Sequence, residues 1–339
     1  MLAIGLLSGG LDSSLAVKMV MDQGIEVIAV KFTSPFCQCD SGGCCHASNL
    51  AEKLGIKLIS VPKGQEYLDT VRNPKFGRGS GMNACIDCRI YMLKRSKAIA
   101  EELGAKFIFT GEVVGQRPMS QQRRTLSLIE REAGLEGKLV RPLSAKLLPE
   151  TEAEKMGWID RKALLDISGR SRKPQIELAA EKGLIDYPCP AGGCLLTSKE
   201  FASKLRDFLE HSPDRLTSRD IAILKVGRHF RVKGSKAIIG RNKDENDRLR
   251  AFADKEFTIM EPTSVPGPLC LCEGDDPEIL QFVASLVARY SDNLGQEVLV
   301  RTTREGVETV IKALPAEPAK TDLYRIGNDP IPLVSIAVP

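Results

Sequence analysis

In the first half of the chain, short apolar runs alternate with segments whose apolar positions recur at helical spacing. Leu2–Leu7, Val27–Phe32, Lys57–Val61 and Lys106–Thr110 read as strands, and Ser13–Gln23, Ala47–Leu54 and Cys88–Leu103 as helices. These helices run into Gly24, Gly55 and Gly104, the expected C-terminal punctuation. Such alternation predicts an α/β fold, a doubly wound parallel sheet with its ligand crevice at the carboxyl ends of the strands. From Pro149 to Cys194 the pattern is helical and basic, with Gly169 to Pro174 as a helix start and Pro188 to Cys194 as an irregular loop. A helix carrying Phe201, Leu205, Phe208 and Leu209 follows, and a new β-rich pattern begins near Ile221. Two domains are therefore expected: residues 1–200, with 150–200 helical and ending in the Cys194 loop, and a smaller α+β domain over 201–339. The proline-dotted stretch after Leu314 is expected to wrap a surface.

Composition adds limits. The 339 residues are 42% apolar and 27% charged, ordinary values for a globular chain with room for two cores. With 48 Lys and Arg against 44 Asp and Glu, the net charge of +4 confines any nucleic-acid surface to a local patch. No apolar stretch reaches the length of a membrane helix. The apolar first residues lack a basic flank and soon meet Asp12, which argues against a secretory leader. A cytoplasmic setting without a membrane partner is expected, and there ten cysteines point to metal or sulfur chemistry more than to disulfides.

Every motif of the first half falls at a strand's carboxyl end. Ser8-Gly9-Gly10-Leu11-Asp12-Ser13-Ser14 follows the first strand and opens a helix. A glycine turn into a helix N-terminus directs backbone N–H groups at one point, and Ser8, Ser13 and Ser14 add hydroxyls, so an anion such as a phosphate is the expected ligand. The spelling is neither a Walker A loop nor a G-x-G-x-x-G turn. Thr110-Gly111-Glu112 follows the fourth strand, and Cys37, Cys39, Cys44, Cys45 and His46 follow the second. Cys85 and Cys88 form a C-x-x-C at a helix start, where thiol pKa values fall. That pair suits one metal ion, a cluster, a redox couple or plain packing, and no second C-x-x-C completes a zinc ribbon. Cys194, after two glycines, is the natural third ligand, with Cys189 as the alternative. Three thiolates on a four-iron cluster leave one iron open. Cys270 and Cys272 alternate as a strand does and are expected to be buried.

The first loop resembles the SGGxDS loop of the PP-loop ATP pyrophosphatases, an adenine nucleotide alpha hydrolase-like fold. With Phe107 to Gln116, Arg141-Pro142-Leu143 and Gly193-Cys194-Leu195-Leu196-Thr197, the first 200 residues resemble PP-loop tRNA thiolation enzymes, above all the tRNA 4-thiouridine synthases. A weaker similarity to 2-thiouridylases rests on the cysteines near 88 and 194, and the three-cysteine set resembles the iron–sulfur branch. The resemblance implies that Ser8, Gly9, Gly10, Asp12, Ser13 and Ser14 hold ATP, with Asp12 positioning Mg²⁺. Phe32 and Thr33 would flank the adenine, and Thr110, Gly111 and Glu112 would line the opposite wall. Cys85, Cys88 and Cys194 would hold a [4Fe–4S] cluster, with Asp12 and these cysteines as the catalytic set. The absence of a rhodanese segment favours cluster-bound sulfur, supplied as sulfide or by a donor protein, over a persulfide relay.

The resembled family carries an N-terminal THUMP domain that docks tRNA, whereas this sequence starts at the first strand, so an RNA-binding surface is expected in the C-terminal third. Ile223 to Val232 and Ile238 to Asn246 resemble the RNA-binding domain of NFACT proteins. Arg215 to Arg250 holds eleven Lys/Arg against four Asp/Glu, and Arg228, Arg231, Lys233, Lys236, Arg241 and Lys243 are the expected RNA contacts. Phe230 is expected in the core. The expected activity is ATP-dependent thiolation of a tRNA uridine, 4-thiouridine favoured over 2-thiouridine. The alternatives are an amide- or nitrile-forming PP-loop ligase and a non-catalytic RNA-binding factor. A homodimer is compatible with the chain.

Overall fold

The computed structural model describes residues 1–37, 46–184, 187, 194–292 and 295–327. The chain divides into two compact units, Met1–Thr197 and Ser198–Pro339. Among the described residues no helix is long and apolar enough to cross a membrane.

The first unit runs β1 (Leu2–Leu6), α1 (Leu11–Met21), β2 (Glu26–Thr33), α2 (His46–Leu54), β3 (Lys57–Pro62), α3 (Gln65–Arg72), α4 (Cys85–Glu102), β4 (Phe107–Thr110), α5 (Arg123–Ala133), β5 (Leu139–Val140), α6 (Glu152–Lys155) and α7 (Lys173–Glu181). Its five strands form a parallel sheet in the order β3-β2-β1-β4-β5. Chain order reverses at β1, which pairs with β2 on one side and β4 on the other, so the crevice of a doubly wound sheet opens between the ends of β1 and β4.

Central β1 is buried on both faces, which explains why it reads as a continuous apolar run. Ala3 and Leu7 pack with Leu15, Val17 and Phe109 on one face, while Ile4 and Leu6 pack with Leu93, Ile108 and Ile129 on the other. Gly5 is required between them: a Cβ there would sit 2.4 Å from the Phe109 ring.

Several elements differ from the sequence expectation, which placed nothing over α5 or β5. Residues 150–200 are not helical throughout. Gly157, Gly169 and Gly183 take positive φ and cut the segment into α6, α7 and short 3₁₀ turns. Helix α3 was not foreseen; it is eight residues long and buries only Tyr67, Leu68 and Val71.

The second unit runs α8 (Lys199–His211), α9 (Ser218–Leu224), β6 (Arg228–Val232), β7 (Ser235–Ile239), α10 (Lys243–Phe252), β8 (Phe257–Pro262), β9 (Cys270–Glu273), α11 (Pro277–Arg289), β10 (Val298–Arg304), β11 (Val307–Ala313) and α12 (Pro318–Tyr324). Its six-stranded sheet, β11-β10-β8-β9-β7-β6, is antiparallel throughout. Val283, Leu286 and Val287 of α11 are fully buried against one face, each adding roughly 1.5–3 kcal/mol. Cys270 and Cys272 point to that face, Leu269 and Leu271 to the face covered by Ile223 and Leu249 of α9 and α10. Phe230 is fully buried.

Candidate functional site

The loop after β1 is shaped by close backbone approaches. Gly9 has φ +80°, and a Cβ on it would lie 2.7 Å from the Ala47 amide at the start of α2. Ser8 N–H donates to Ser13 Oγ at 3.3 Å, and the Ser13 and Ser14 hydroxyls donate to the Gly10 carbonyl at 2.9 and 3.0 Å. Helix α1 begins at Gly10 with no side-chain cap, so its first-turn N–H groups remain for a ligand. The segment after β4 lies directly on that turn: a Cβ on Gly111 would meet the Asp12 carbonyl oxygen at 2.4 Å and the Ser13 nitrogen at 2.6 Å.

Asp12 is held from one side only. Its Oδ2 accepts from Gln116 Nε2 at 2.8 Å and lies 3.9 Å from Arg172 Nη2, while its Oδ1 is buried without a partner. An orphaned carboxylate oxygen beside a phosphate loop fits a hard divalent cation such as Mg²⁺. Arg89, Arg172, Cys85 and Asp12 lie near enough to Arg117 to act on its charge. Desolvation, then repulsion from Arg89 and Arg172, lowers its pKa from the usual arginine value.

Thr110 and Glu112 do not form an open wall. Both are 2% exposed, because their polar groups are turned inward, Thr110 onto Glu112 and Glu112 onto the buried Arg141 and half-buried Arg89. Glu112 Oε2 accepts from Thr110 Oγ1 at 3.2 Å and Arg141 Nε at 3.1 Å, and Arg89 Nε lies 3.4 Å from Oε1. Arg141, itself 2% exposed, also bonds Glu130. Burial opposes ionisation of Glu112, but Arg89 and Arg141 outweigh it and hold the carboxyl below its ordinary value. Of the predicted wall, Gly111 alone contacts the phosphate loop through its backbone. Phe32 and Thr33 are half-buried at the end of β2, the strand next to β1.

The sulfur residues are gathered by a second clasp. Met82 N–H donates to the Leu196 carbonyl at 2.8 Å, and a Cβ on Gly81 would meet that oxygen at 2.3 Å. This draws the N-terminus of α4, with Cys85 and Cys88, to the turn that begins at Cys194. Cys37 pairs with Cys194 in an isolated bridge. Two of the three expected ligands accept from an N–H donor: Cys85 Sγ from Asn83 Nδ2 at 3.1 Å and Cys88 Sγ from Lys63 Nζ at 3.2 Å. Burial pushes the Cys194 thiol up to about 11, with Cys88 and Cys85 adding to the shift. Lys63 Nζ also stacks 4.4 Å from the Tyr67 ring centre, and burial followed by the nearby Cys88 raises the Tyr67 hydroxyl pKa. Among the described residues no group of three or more His, Cys, Asp or Glu is disposed to hold a single metal ion. Cys39, Cys44, Cys45 and Cys189 lie outside the described residues.

Lys63, Asn83, Gln116 and Arg117 were not among the predicted site residues. Lys63 and Gln116 share the signal that marked the others, since each follows the carboxyl end of a strand.

In the second unit, the basic stretch is largely neutralised by acids from outside it. Arg231 grips Asp207 with Nε and Nη2 at 2.9 and 2.7 Å and reaches Glu273, and Lys236 reaches the same Asp207 at 2.9 Å. Lys236 is 3% exposed. Arg231 and Lys236, two of the expected RNA contacts, are thus engaged in ion pairs within the unit. Lys233 pairs with Glu278 at 2.5 Å and Arg241 with Glu200 at 2.7 Å, both on exposed ground. Arg228 stacks 4.4 Å over Tyr290, and Lys243 is exposed at the start of α10.

Comparison with known proteins matches residues 2–146 to the family model of the thiamine biosynthesis protein (ThiI) and residues 227–325 to that of the NFACT protein RNA binding domain. A tRNA-specific 2-thiouridylase MnmA of Haemophilus ducreyi is 24% identical, over 89% of this chain and 78% of its own. A probable tRNA sulfurtransferase of Methanothermobacter thermautotrophicus is 31% identical over 33% of this chain and 29% of its own. A solved 4-thiouridine synthetase–RNA complex with bound ATP aligns with a TM-score of 0.38 at 22% identity, covering 66% of this chain and 52% of that one, so this chain spans about half its length. The chain is thus similar to the ThiI family over residues 2–146 and to the NFACT RNA-binding domain over residues 227–325, and the curated relatives named here are tRNA thiolation enzymes.

Proposed function

We propose that the chain is a tRNA sulfurtransferase that uses ATP to activate a uridine and then replaces one of its oxygens with sulfur. Arg89 carries the proposal: it follows Cys88 on α4 and its Nε lies 3.4 Å from Glu112, whose neighbour Gly111 rests on the Asp12 turn of the phosphate loop. Phosphate chemistry and sulfur chemistry therefore share one rim.

The uncapped turn of α1 and the hydroxyls of Ser8, Ser13 and Ser14 bind the ATP phosphates, and Asp12 Oδ1 receives Mg²⁺. Phe32 and Thr33 flank the adenine. A uracil carbonyl oxygen attacks the α-phosphorus and pyrophosphate leaves, with the loop amides, Arg117 and Arg172 opposite the developing charge. A sulfur nucleophile then attacks the adenylated carbon, and AMP departs with the former uracil oxygen. The motifs Phe107 to Gln116 and Arg141-Pro142-Leu143 resemble those of 4-thiouridine synthases, so C4 is the proposed position.

The three thiols fit an iron–sulfur cluster. Cys85 and Cys88 each accept from an N–H donor, the arrangement that stabilises anionic sulfur. When bound there, a [4Fe–4S] cluster would supply an open iron site for the incoming sulfur. Asn83 and Lys63 would hold two of its cysteine ligands in place.

Anaerobic reconstitution with iron and sulfide, followed by mass spectrometry of tRNA nucleosides, tests the proposal. Thiolated uridine is expected only with ATP present, with pyrophosphate and AMP released in equal amounts. Cys194→Ala is expected to abolish thiolation while pyrophosphate release persists. Full thiolation by that variant would sink the cluster role, and 2-thiouridine as the product would sink the C4 assignment.

A further inference from the structure

The C-terminal unit holds a polar cavity of about 200 Å³ that includes only one of the expected RNA contacts, Arg228. It is lined by Glu200, Lys204, Arg228, His229, Arg325 and the turn at Ile326 and Gly327. Lys204 is 4% exposed, and its Nζ donates to the Gly227 carbonyl at 3.2 Å and lies 2.8 Å from Glu200 Oε1. The same oxygen accepts from Arg241 Nη2 at 2.7 Å, so one carboxylate serves two cations. Arg241 has a second, longer contact with Glu245 at 3.8 Å.

Among the described residues the two remaining cations have no carboxylate within ion-pair distance, and Glu245 acts on Arg228 only from further away. Arg228 donates to the Gly240 carbonyl at 3.2 Å and stacks on Tyr290. Arg325 has no ion-pair partner among the described residues, and it lies near enough to Arg228 to lower its pKa. Four cations thus face two carboxylates in a partly desolvated space. Burial lowers the pKa of both Lys204 and Arg228, and Arg241 pushes each further down. Placing like charges together away from water is unfavourable unless an anion joins them.

His229 closes the wall without adding charge. Its Nε2–H donates to the Val226 carbonyl at 2.8 Å, and burial, reinforced by Lys236 and Lys204, keeps the ring neutral. The surplus is therefore two positive charges, supplied by fixed guanidinium and ammonium groups. Guanidinium forks are suited to phosphate oxygens.

We infer that this cavity is a phosphate pocket that takes a backbone phosphate of the RNA. The inference rests on the RNA-binding role proposed above and names where the C-terminal unit grips its partner. Two of the cations extend beyond the expected basic stretch: Lys204 precedes the matched NFACT segment, and Arg325 is its last residue.

The test is tRNA binding by the full chain, measured by fluorescence anisotropy over a range of salt concentrations. Arg325→Ala and Arg325→Lys are compared with the native protein, after thermal melting shows both are folded. Arg325→Ala is expected to weaken binding and to reduce the slope of log K against log salt by about 1, the signature of one lost phosphate contact, with Arg325→Lys restoring most of it. Lys204→Met serves as a second variant from the opposite wall, with the same expectation. Inorganic phosphate is expected to compete with tRNA for the native protein and less for Arg325→Ala. Removal of the tRNA 5′-terminal phosphate is expected to change nothing. Unchanged slopes in Arg325→Ala and Lys204→Met would overturn the pocket while leaving RNA binding intact. A native chain that binds no tRNA would overturn the RNA-binding role as well. Loss of binding on removing the terminal phosphate would overturn the backbone assignment.

Discussion

Gly111→Ala adds one methyl group where the segment after β4 rests on the first turn of α1. That Cβ would stand 2.4 Å from the Asp12 carbonyl oxygen, 2.5 Å from its carbon and 2.6 Å from the Ser13 nitrogen. All three are backbone atoms, so no side-chain rotation relieves the clash. To reach ordinary contact the two segments must part by about 1 Å, and they carry the Asp12 carboxylate and the amides that face the phosphates. A displacement of about 1 Å at a reacting centre costs on the order of 100-fold in rate, about 2.7 kcal/mol in the barrier. Overpacking of the fold costs a further 1–3 kcal/mol or so of stability, small enough to leave the protein folded. The assay is pyrophosphate release with saturating ATP and tRNA, paired with a melting curve. Gly64→Ala is the matched control, since Gly64 has φ −78° and a Cβ there meets nothing within 4 Å. It is expected to alter the rate by no more than about a factor of two. A folded Gly111→Ala enzyme working at half the native rate or better would refute the close-approach account.

Gln116→Leu removes the one side-chain donor to Asp12, so pyrophosphate release is expected to fall roughly 10-fold or more. Gln116→Glu, which sets a second carboxylate beside Asp12, is expected to be worse, and a rate equal to native in either variant would count against Asp12 as the cation ligand. Lys63→Met deletes the donor to Cys88 and is expected to slow thiolation while sparing pyrophosphate release; equal slowing of both would place Lys63 with the nucleotide instead. Asp207→Asn weakens the anchor of Arg231 and Lys236 and is expected to cost about 3–5 kcal/mol in denaturant unfolding at neutral pH. Burial opposes ionisation of Asp207, but Arg231 and Lys236 hold its carboxyl below the ordinary 3.8. Its stabilisation is therefore fully present above pH 3.8 and lost as the pH falls through the depressed value. The gap between native and variant should close in that acid range, and a constant gap would be the contrary result.

The parallel sheet was legible because its strands are short, apolar on both faces and separated by glycine-capped helices. The phosphate loop and the Cys85–Cys88 pair were legible because each is a local motif at a predictable place in such a sheet. What escaped depends on distant pairs. Asp12 meets Gln116 across 104 residues and Cys88 meets Lys63 across 25, and no local pattern announces either contact. Thr110 and Glu112 sit in a recognisable motif, yet whether they face a ligand or an arginine is decided by Arg141, far along the chain. The charge balance of the basic stretch is set by distant partners in the same way. A window from Arg215 to Arg250 counts Arg231 and Lys236 as surplus because Asp207 and Glu273 lie outside it.

Cys270 and Cys272 give the second unit a built-in reporter. Both are fully buried; burial raises the Cys270 thiol well above its ordinary value, and burial followed by Glu273 pushes Cys272 up to about 12. Neither can form thiolate in the native sheet, so alkylating reagents should pass them by. Their labelling in a timed exposure then measures how often β9 leaves the sheet. Because they lie in a different unit from Cys85, Cys88 and Cys194, the same mass spectrum separates opening of the RNA-binding unit from chemistry at the sulfur site.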